Sequence, residues 1–353
     1  MNFKLSFVKN FFLQSSTVFL GSASGNFLLI ISLPLITSLY STSSFGFHAI
    51  FYSTLATLSA LITSRFDMAI VISKKDEVFP LFILSILSIF FYVFIIMISL
   101  TFLNISEIFD EDTLKNLSDL NIIIFFGIFL IGLLIVLESF SNREQSYKLL
   151  SISRFLTPVS FLLISFFPLE GDFTTKNLII AQSFSPLLSI IMICFFMKNK
   201  VQISTSNIFS KIKDSFNKYK NFATVSAPTS FLDNLAASSP IFLIGLLYSE
   251  ELVALYALAL RLGYGPLSMI SRSVSQVTLR TVSGLYKENK NLYKSLKRLM
   301  FPFIYLLIPM TLLIIISDDI IRLFFDDEWS VSGKILQILI PIFFFKFFVS
   351  CFS

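Results

Sequence analysis

The fold is decided by residues 121–137, NIIIFFGIFLIGLLIVL. This stretch carries no charge and is as long as the shortest helices that cross a lipid bilayer, which need about 17 residues. Strands of a membrane barrel are shorter and alternate apolar with polar side chains, whereas this stretch does neither. A helix is the structure that satisfies every backbone hydrogen bond within lipid. We therefore predict a membrane-spanning helix here.

Comparable apolar runs recur along the whole chain of 353 residues, which is 55% hydrophobic and only 14% charged. A soluble domain of this size carries about a quarter charged residues. The connections between the runs are too short to fold as soluble domains. We predict an all-α, polytopic membrane protein with about ten spans. The predicted spans are 15–39, 44–71, 78–103, 121–138, 151–169, 177–197, 222–248, 252–276, 299–317 and 335–353.

Lysine and arginine alternate between the two sets of connections. They crowd the N-terminus and every second loop, whereas the other loops hold only Lys115, Lys176, Arg322 and Lys334. Basic loops stay on the cytoplasmic side of a membrane, so we predict a cytoplasmic N-terminus. The formal net charge of +5 then reflects topology, and no nucleic-acid partner is expected.

The sequence contains an internal repeat. PLITSLYSTSSFGFHAIF (34–51) can be aligned with PIFLIGLLYSEELVALYAL (240–258). Both copies begin on an outward-running span, so they are parallel and related by an axis along the membrane normal. We predict a six-helix N-terminal lobe (1–197), a basic cytoplasmic linker (198–221) and a four-helix, incomplete second lobe (222–353). Two such lobes would enclose a central cleft that opens to alternate sides.

Ionisable side chains within the predicted spans are the candidates for function, because a charge in lipid is costly. Arg65 lies close to Asp67 in the second span, and Arg261 and Arg272 share a face of the eighth span near Tyr264. A guanidinium group facing a wet cavity can grip phosphate oxygens with two hydrogen bonds. The alternative for Arg65 is a local pair with Asp67 at the membrane edge.

Asp233 and Asn234 occupy the seventh span. A carboxylate there can serve as a proton or sodium relay, or as a structural partner of an arginine, and the sequence leaves both options open. Two distant cysteines and one histidine, His48, predict no metal site, and His48 is interpreted as an interfacial polar residue. No nucleotide or catalytic motif is present, so neither a cofactor nor an enzymatic activity is expected.

Four segments in order carry a family resemblance: PLITSLYSTSSFGFHAIFYS (34–53), SRFDMAIVISKKDE (64–77), SNREQSYKLLSISR (141–154), and 217–278 from NKYKNF to SQVT. They resemble the polysaccharide flippases (Wzx-type) of the superfamily that also holds the MATE exporters and the murein-precursor flippase. The resemblance covers essentially the whole chain. Members of that branch usually continue for two more spans, so we expect this chain to be a C-terminal truncation.

The resemblance implies transport of a polyprenyl-diphosphate-linked oligosaccharide from the inner to the outer leaflet of the bacterial inner membrane. The cargo would be a repeat unit of O-antigen lipopolysaccharide or capsule. It further implies that Arg65, Arg261 and Arg272, with Tyr264, hold the diphosphate. Coupling to H⁺ or Na⁺ is expected, as are a polysaccharide polymerase and a chain-length regulator as partners.

Two alternatives remain open. A MATE-type drug or cation antiporter would need an acidic cavity, whereas the arginines predict a basic one. A membrane polysaccharide polymerase or transferase would need a substantial catalytic loop outside the bilayer, and the longest predicted outer connection is 104–120.

Overall fold

The computed structural model describes residues 19–102, 111–168, 171–197, 208–287 and 307–352, and this part of the chain is helical without strands. Eight of its helices are long and apolar enough to cross a membrane, or nine if one bent pair counts as a single span. The predicted class, an all-α polytopic membrane protein, is confirmed. The predicted span 299–317 begins among residues outside the described part.

The N-terminal half contains nine helices within the described residues. The first two form the bent pair, which turns by 42° just before Pro34. Proline lacks an N–H group and is tolerated in the first turn of a helix, where that group would have no partner. The helices are α1 (Phe19–Ile31), α2 (Leu33–Leu39), α3 (Thr42–Ile62), α4 (Phe66–Ile72), α5 (Val78–Phe102), α6 (Glu111–Arg143), α7 (Tyr147–Phe166), α8 (Thr175–Phe184) and α9 (Leu187–Met197), with a 3₁₀ turn at Lys75–Glu77 before α5.

The C-terminal half begins with a helix that changes winding along its length. A π-helical turn, Phe222–Ser226, joins the basic helix α10 to the apolar helix α11. Single π turns inside long helices are uncommon and occur often at functional sites. The elements are α10 (Ile208–Asn221), α11 (Ala227–Leu247), α12 (Glu250–Lys287), α13 (Leu307–Phe324) and α14 (Val331–Phe352), with a 3₁₀ turn at Asp327–Trp329 before α14.

The contacts divide the chain into two compact units. The first comprises Met1–Leu28 and His48–Leu243, and the second comprises Leu29–Phe47 and Ile244–Ser353. These units are defined by packing, whereas the two predicted lobes are defined by the repeat. The repeat and its lobe boundaries therefore stay a prediction.

Small residues allow close helix approach in the first unit. A Cβ atom at Gly21 would overlap Ser151, and one at Gly25 would meet the Arg154 carbonyl oxygen at 2.9 Å. Helix α1 therefore packs directly on α7. This geometry is typical of the short glycine motifs that bring membrane helices together.

His48 packs inside the first unit. Its side chain is only 1% exposed, its Nε2 atom lies 3.4 Å from Gln182 Oε1, and its ring stacks on Phe161. Neighbouring helices therefore cover His48, and its position at the membrane interface stays a prediction.

The second unit is built on the contact of α12 with α14 and on the first turn of α3. The Ser43 hydroxyl donates to Glu250 Oε2 at 2.7 Å, which fixes the start of α3 beside the start of α12. The buried Phe45 ring meets the edge of Trp329 at a centroid distance of 5.3 Å. Aromatic pairs in this geometry stabilise a core beyond their buried area.

Candidate functional site

The predicted second span, 44–71, is broken in the structure. Ser64 and Arg65 adopt left-handed backbone conformations with φ of 49° and 57°, so α3 ends at Ile62 and α4 begins at Phe66. Two consecutive non-glycine residues in this region are uncommon, and each is expected to cost about 1–3 kcal/mol. Strain of this kind persists where surrounding structure enforces it, often at functional sites.

The backbone at the break keeps its hydrogen bonds. The N–H of Ser64 donates to the Leu61 carbonyl at 2.7 Å, and the N–H of Phe66 donates to the Thr63 carbonyl at 3.0 Å. The break is therefore a defined turn. Arg65 therefore lies in this turn, between the regular helices α3 and α4.

Arg143 at the end of α6 holds the far end of α4. Its Nη1 atom donates to the carbonyl oxygens of Ile70 at 2.8 Å and Ser73 at 2.7 Å. The last carbonyls of a helix have no partner within it and carry a partial negative charge, so a guanidinium group satisfies them well. The short helix α4 is thus held at its C-terminal end by α6.

A cavity of about 500 Å³ lies beside this break, within the first unit. Helices α3, α4, α6, α7 and α11 and the α3–α4 break contribute its wall. Its charged lining residues are Arg65, Asp67, Glu138, Arg154 and Asp233. Its neutral polar lining residues are Ser59, Thr63, Ser139, Asn142, Ser230 and Asn234. Four residues predicted from the sequence, Arg65, Asp67, Asp233 and Asn234, are therefore brought together here.

Arg65 has unused hydrogen-bonding capacity. Its Nε atom is buried and, within the described residues, donates no hydrogen bond. Asp67 is instead bonded to Thr63, whose Oγ1 atom donates to the carboxylate at 2.5 Å. In the described part of the chain, the local Arg65–Asp67 pair that the sequence left open is not formed as a hydrogen bond.

The cavity wall also contains an ion pair that was not predicted from the sequence. Arg154 Nε donates to Glu138 Oε2 at 3.3 Å, and the Ser153 hydroxyl donates to Glu138 Oε1 at 3.1 Å. The signal was available, because Glu138 and Arg154 lie at similar distances on either side of the α6–α7 turn. Positions equally far from such a turn face each other in a helical hairpin.

Asp233 and Asn234 have different surroundings. Asn234 Nδ2 donates to the Ala56 carbonyl at 3.0 Å, and the Thr57 hydroxyl donates to Ser238 Oγ at 3.4 Å. These two bonds fasten α11 to α3 and give Asn234 a packing role. Asp233 is exposed and lines the cavity.

The remaining predicted residues belong to the second unit. The Arg261 guanidinium lies over the Phe45 ring at 4.9 Å, and Lys346 Nζ lies over the Tyr264 ring at 4.4 Å. Cations over aromatic faces are attracted by the ring electrons, which explains a lysine at the position of Lys346 in an apolar helix. The side chain of Arg272 lies outside the described residues. Among the described residues, those that line the cavity all belong to the first unit.

The cavity lining is mixed in charge. It holds two guanidinium groups and three carboxyl groups, of which Glu138 is paired with Arg154 and Asp67 is bonded to Thr63. The arginines in the sequence predicted a simply basic cavity. The acidic residues come from α4, α6 and α11, so this mixture depends on tertiary packing.

A model of a family described as polysaccharide biosynthesis protein matches residues 35–334. The match begins in α2, ends in α14 and includes every residue that lines the cavity. No curated protein matches the chain.

Proposed function

Because the chain belongs to the polysaccharide biosynthesis protein family, we propose that it is a flippase for a polyprenyl-diphosphate-linked oligosaccharide. The cargo moves from the inner to the outer leaflet of the bacterial cytoplasmic membrane and serves O-antigen or capsule synthesis. No covalent chemistry is part of the proposal. The observation that carries it is the polar cavity around Arg65, in a protein whose described residues include eight candidate spans.

Arg65 is the residue best placed to receive a diphosphate. A guanidinium group binds phosphate oxygens through a planar fork of N–H donors. The Nε donor of Arg65 is not taken by the described protein groups, and it is buried, where a charge-assisted hydrogen bond is stronger than in water. The neutral hydroxyl and amide groups of the wall suit the hydroxyl groups of a sugar.

Other parts of the proposal come from the sequence and the family resemblance. Arg261, Arg272 and Tyr264 are proposed as further residues that hold the diphosphate. Coupling to H⁺ or Na⁺, a polysaccharide polymerase and a chain-length regulator are proposed on the same basis.

A second candidate function is a MATE-type cation antiporter, and the carboxyl groups of Asp67, Glu138 and Asp233 in the cavity favour it. A cationic drug would be held by these groups rather than by Arg65. The two functions therefore make opposite predictions for removal of the arginine charge.

The proposed function is tested by genetic complementation. The chain is expressed in a host that lacks its own flippase and carries a matching sugar locus, and surface polysaccharide is measured. Restored polysaccharide with unchanged drug susceptibility is expected. Drug resistance without restored polysaccharide, in cells with confirmed membrane insertion, would favour the antiporter.

A further inference from the structure

In the Glu138–Arg154 ion pair of the cavity wall, the contacts of Arg154 are few and long. One contact, from Nε to Oε2 at 3.3 Å, joins the two groups, and Arg154 Nη1 reaches Ser22 Oγ only at 3.5 Å. The arginine side chain is 41% exposed, whereas that of the glutamate is 21% exposed. Because a guanidinium group carries five N–H donors, most of those of Arg154 are available to another anion.

Glu138 has few other partners. The Ser153 hydroxyl donates to its second oxygen at 3.1 Å. Of the other charged groups lining the cavity, Asp67 and Asp233 are acids, and Arg65 forms no ion pair with Glu138 among the described residues. A carboxylate in a membrane helix that loses its cationic partner is costly as a charge, and protonation removes that cost.

We infer that Glu138 and Arg154 form an exchangeable ion pair, in which an anionic group of the cargo takes Arg154 while Glu138 takes up a proton. This inference rests on the proposed function only in that it requires a phosphate-bearing cargo. One proton is bound for each anion that enters and is released when the ion pair forms again. The pair thereby links occupancy of the cavity to protons and gives Arg154 a direct role in binding.

A purely structural ion pair and an exchangeable one predict opposite effects of removing the glutamate charge. If the pair only supports the fold, Glu138→Gln disturbs Arg154 and weakens anion binding or leaves it unchanged. If Glu138 competes with the anion, the same substitution frees Arg154 and strengthens binding. Glutamine keeps the shape of the side chain and can still accept the Ser153 hydrogen bond.

The test is calorimetric titration of the purified full chain with inorganic diphosphate. Each titration is run at one pH in two buffers with different heats of ionisation, which gives the number of protons taken up. We expect Glu138→Gln to bind diphosphate roughly fivefold more tightly, since an exposed ion pair contributes about that factor. We expect Arg154→Gln to bind at least about tenfold more weakly, as for loss of a charge-assisted hydrogen bond.

Glu144→Gln provides the matched control. Glu144 is exposed, lies just beyond the end of α6 and does not line the cavity, so its neutralisation changes net charge by the same amount. Proton uptake in wild type and Glu144→Gln should exceed that in Glu138→Gln. The titration chemistry of diphosphate itself is common to all variants and cancels in this comparison.

Three results would overturn the inference: weaker or unchanged affinity in Glu138→Gln, equal proton uptake in all variants, or no diphosphate binding in wild type and Glu138→Gln alike. The complementation assay decides separately whether the proposed function itself fails. A chain that restores surface polysaccharide but shows any of these results is a flippase without this exchange.

Discussion

Thr63 Oγ1 donates a hydrogen bond to the carboxylate of Asp67 across the break between α3 and α4. Asp67 is only 4% exposed, so the hydroxyl group supplies a hydrogen-bond partner to a largely buried side chain. The same contact leaves the neighbouring Arg65 without this acid as a hydrogen-bond acceptor. At the break, the buried Asp67 thus has a hydrogen-bond donor within the same turn, while the neighbouring Arg65 keeps a free Nε donor among the described residues.

Removing this hydroxyl group should destabilise the protein. Thr63→Val removes the side-chain donor to a buried carboxylate, and the expected cost is about 1–3 kcal/mol in the free energy of unfolding. Thermal unfolding of the purified protein, followed by size-exclusion chromatography, measures the change. Thr54→Val is the control, because that hydroxyl donates only to the Ile50 carbonyl of its own helix. Equal loss in both variants would argue against a special role for Thr63.

Loss of the Arg143 guanidinium should loosen α4. Arg143→Gln removes the guanidinium donor to the Ile70 and Ser73 carbonyls, so the last turn of α4 loses its charged partner and keeps the weaker bond from the Ser73 hydroxyl to Ile70. Faster amide hydrogen exchange is expected in 66–73, with little change in α3. Arg143→Lys keeps the charge at the end of the helix and should show an intermediate effect. Unchanged exchange in 66–73 would mean that α4 is held by its apolar packing alone.

Helix α10 should depend on Glu77 for its attachment. Lys218 Nζ and the Tyr219 hydroxyl both donate to this carboxylate, the latter at 2.8 Å. Tyr219→Phe removes one bond, worth about 0.5–1.5 kcal/mol, and should speed hydrogen exchange in Ile208–Asn221. Tyr248→Phe, at an exposed tyrosine, provides the comparison. If both variants exchange like wild type, the bond to Glu77 does not hold α10.

Two glycine substitutions of the same size should differ in effect. Gly21→Ala places a methyl group into the Ser151 carbonyl and should cost about 1–3 kcal/mol by overpacking α1 against α7. Gly265→Ala meets only Ile30 Cδ1 at 3.5 Å, an ordinary contact, and should be tolerated. The yield of monodisperse protein after purification measures both. A normal yield for Gly21→Ala would contradict the close packing of α1 on α7.

The class of fold is readable from the sequence, because uncharged runs such as 121–137 leave few structures other than a spanning helix. The break at Ser64 and Arg65 is not readable in this way. No glycine or proline marks it, and left-handed conformations at ordinary residues arise from surrounding contacts. For the same reason, the end of α3 at Ile62 cannot be predicted from the sequence.

The candidate site was predictable in part. Arg65 and Asp67 are visible because charges in a span are costly, and both line the cavity. The grouping of Asp233 with them depends on the bond from Asn234 to the Ala56 carbonyl, a contact between helices far apart in sequence. Glu138 and Arg154 lie at the facing ends of two predicted spans, and only the register of the α6–α7 hairpin reveals their pairing.

Complementation with Arg65 variants tests the central claim most directly. Surface polysaccharide is measured for wild type, Arg65→Lys, Arg65→Ala and the control Arg322→Ala, an exposed arginine paired with Asp318. Membrane levels are matched by immunoblot. We expect Arg65→Ala to lower transport at least about tenfold, as for loss of a charge-assisted hydrogen bond, and Arg65→Lys to be intermediate because it lacks the fork. Full transport by Arg65→Ala at normal membrane levels would contradict the assignment of this cavity to the diphosphate.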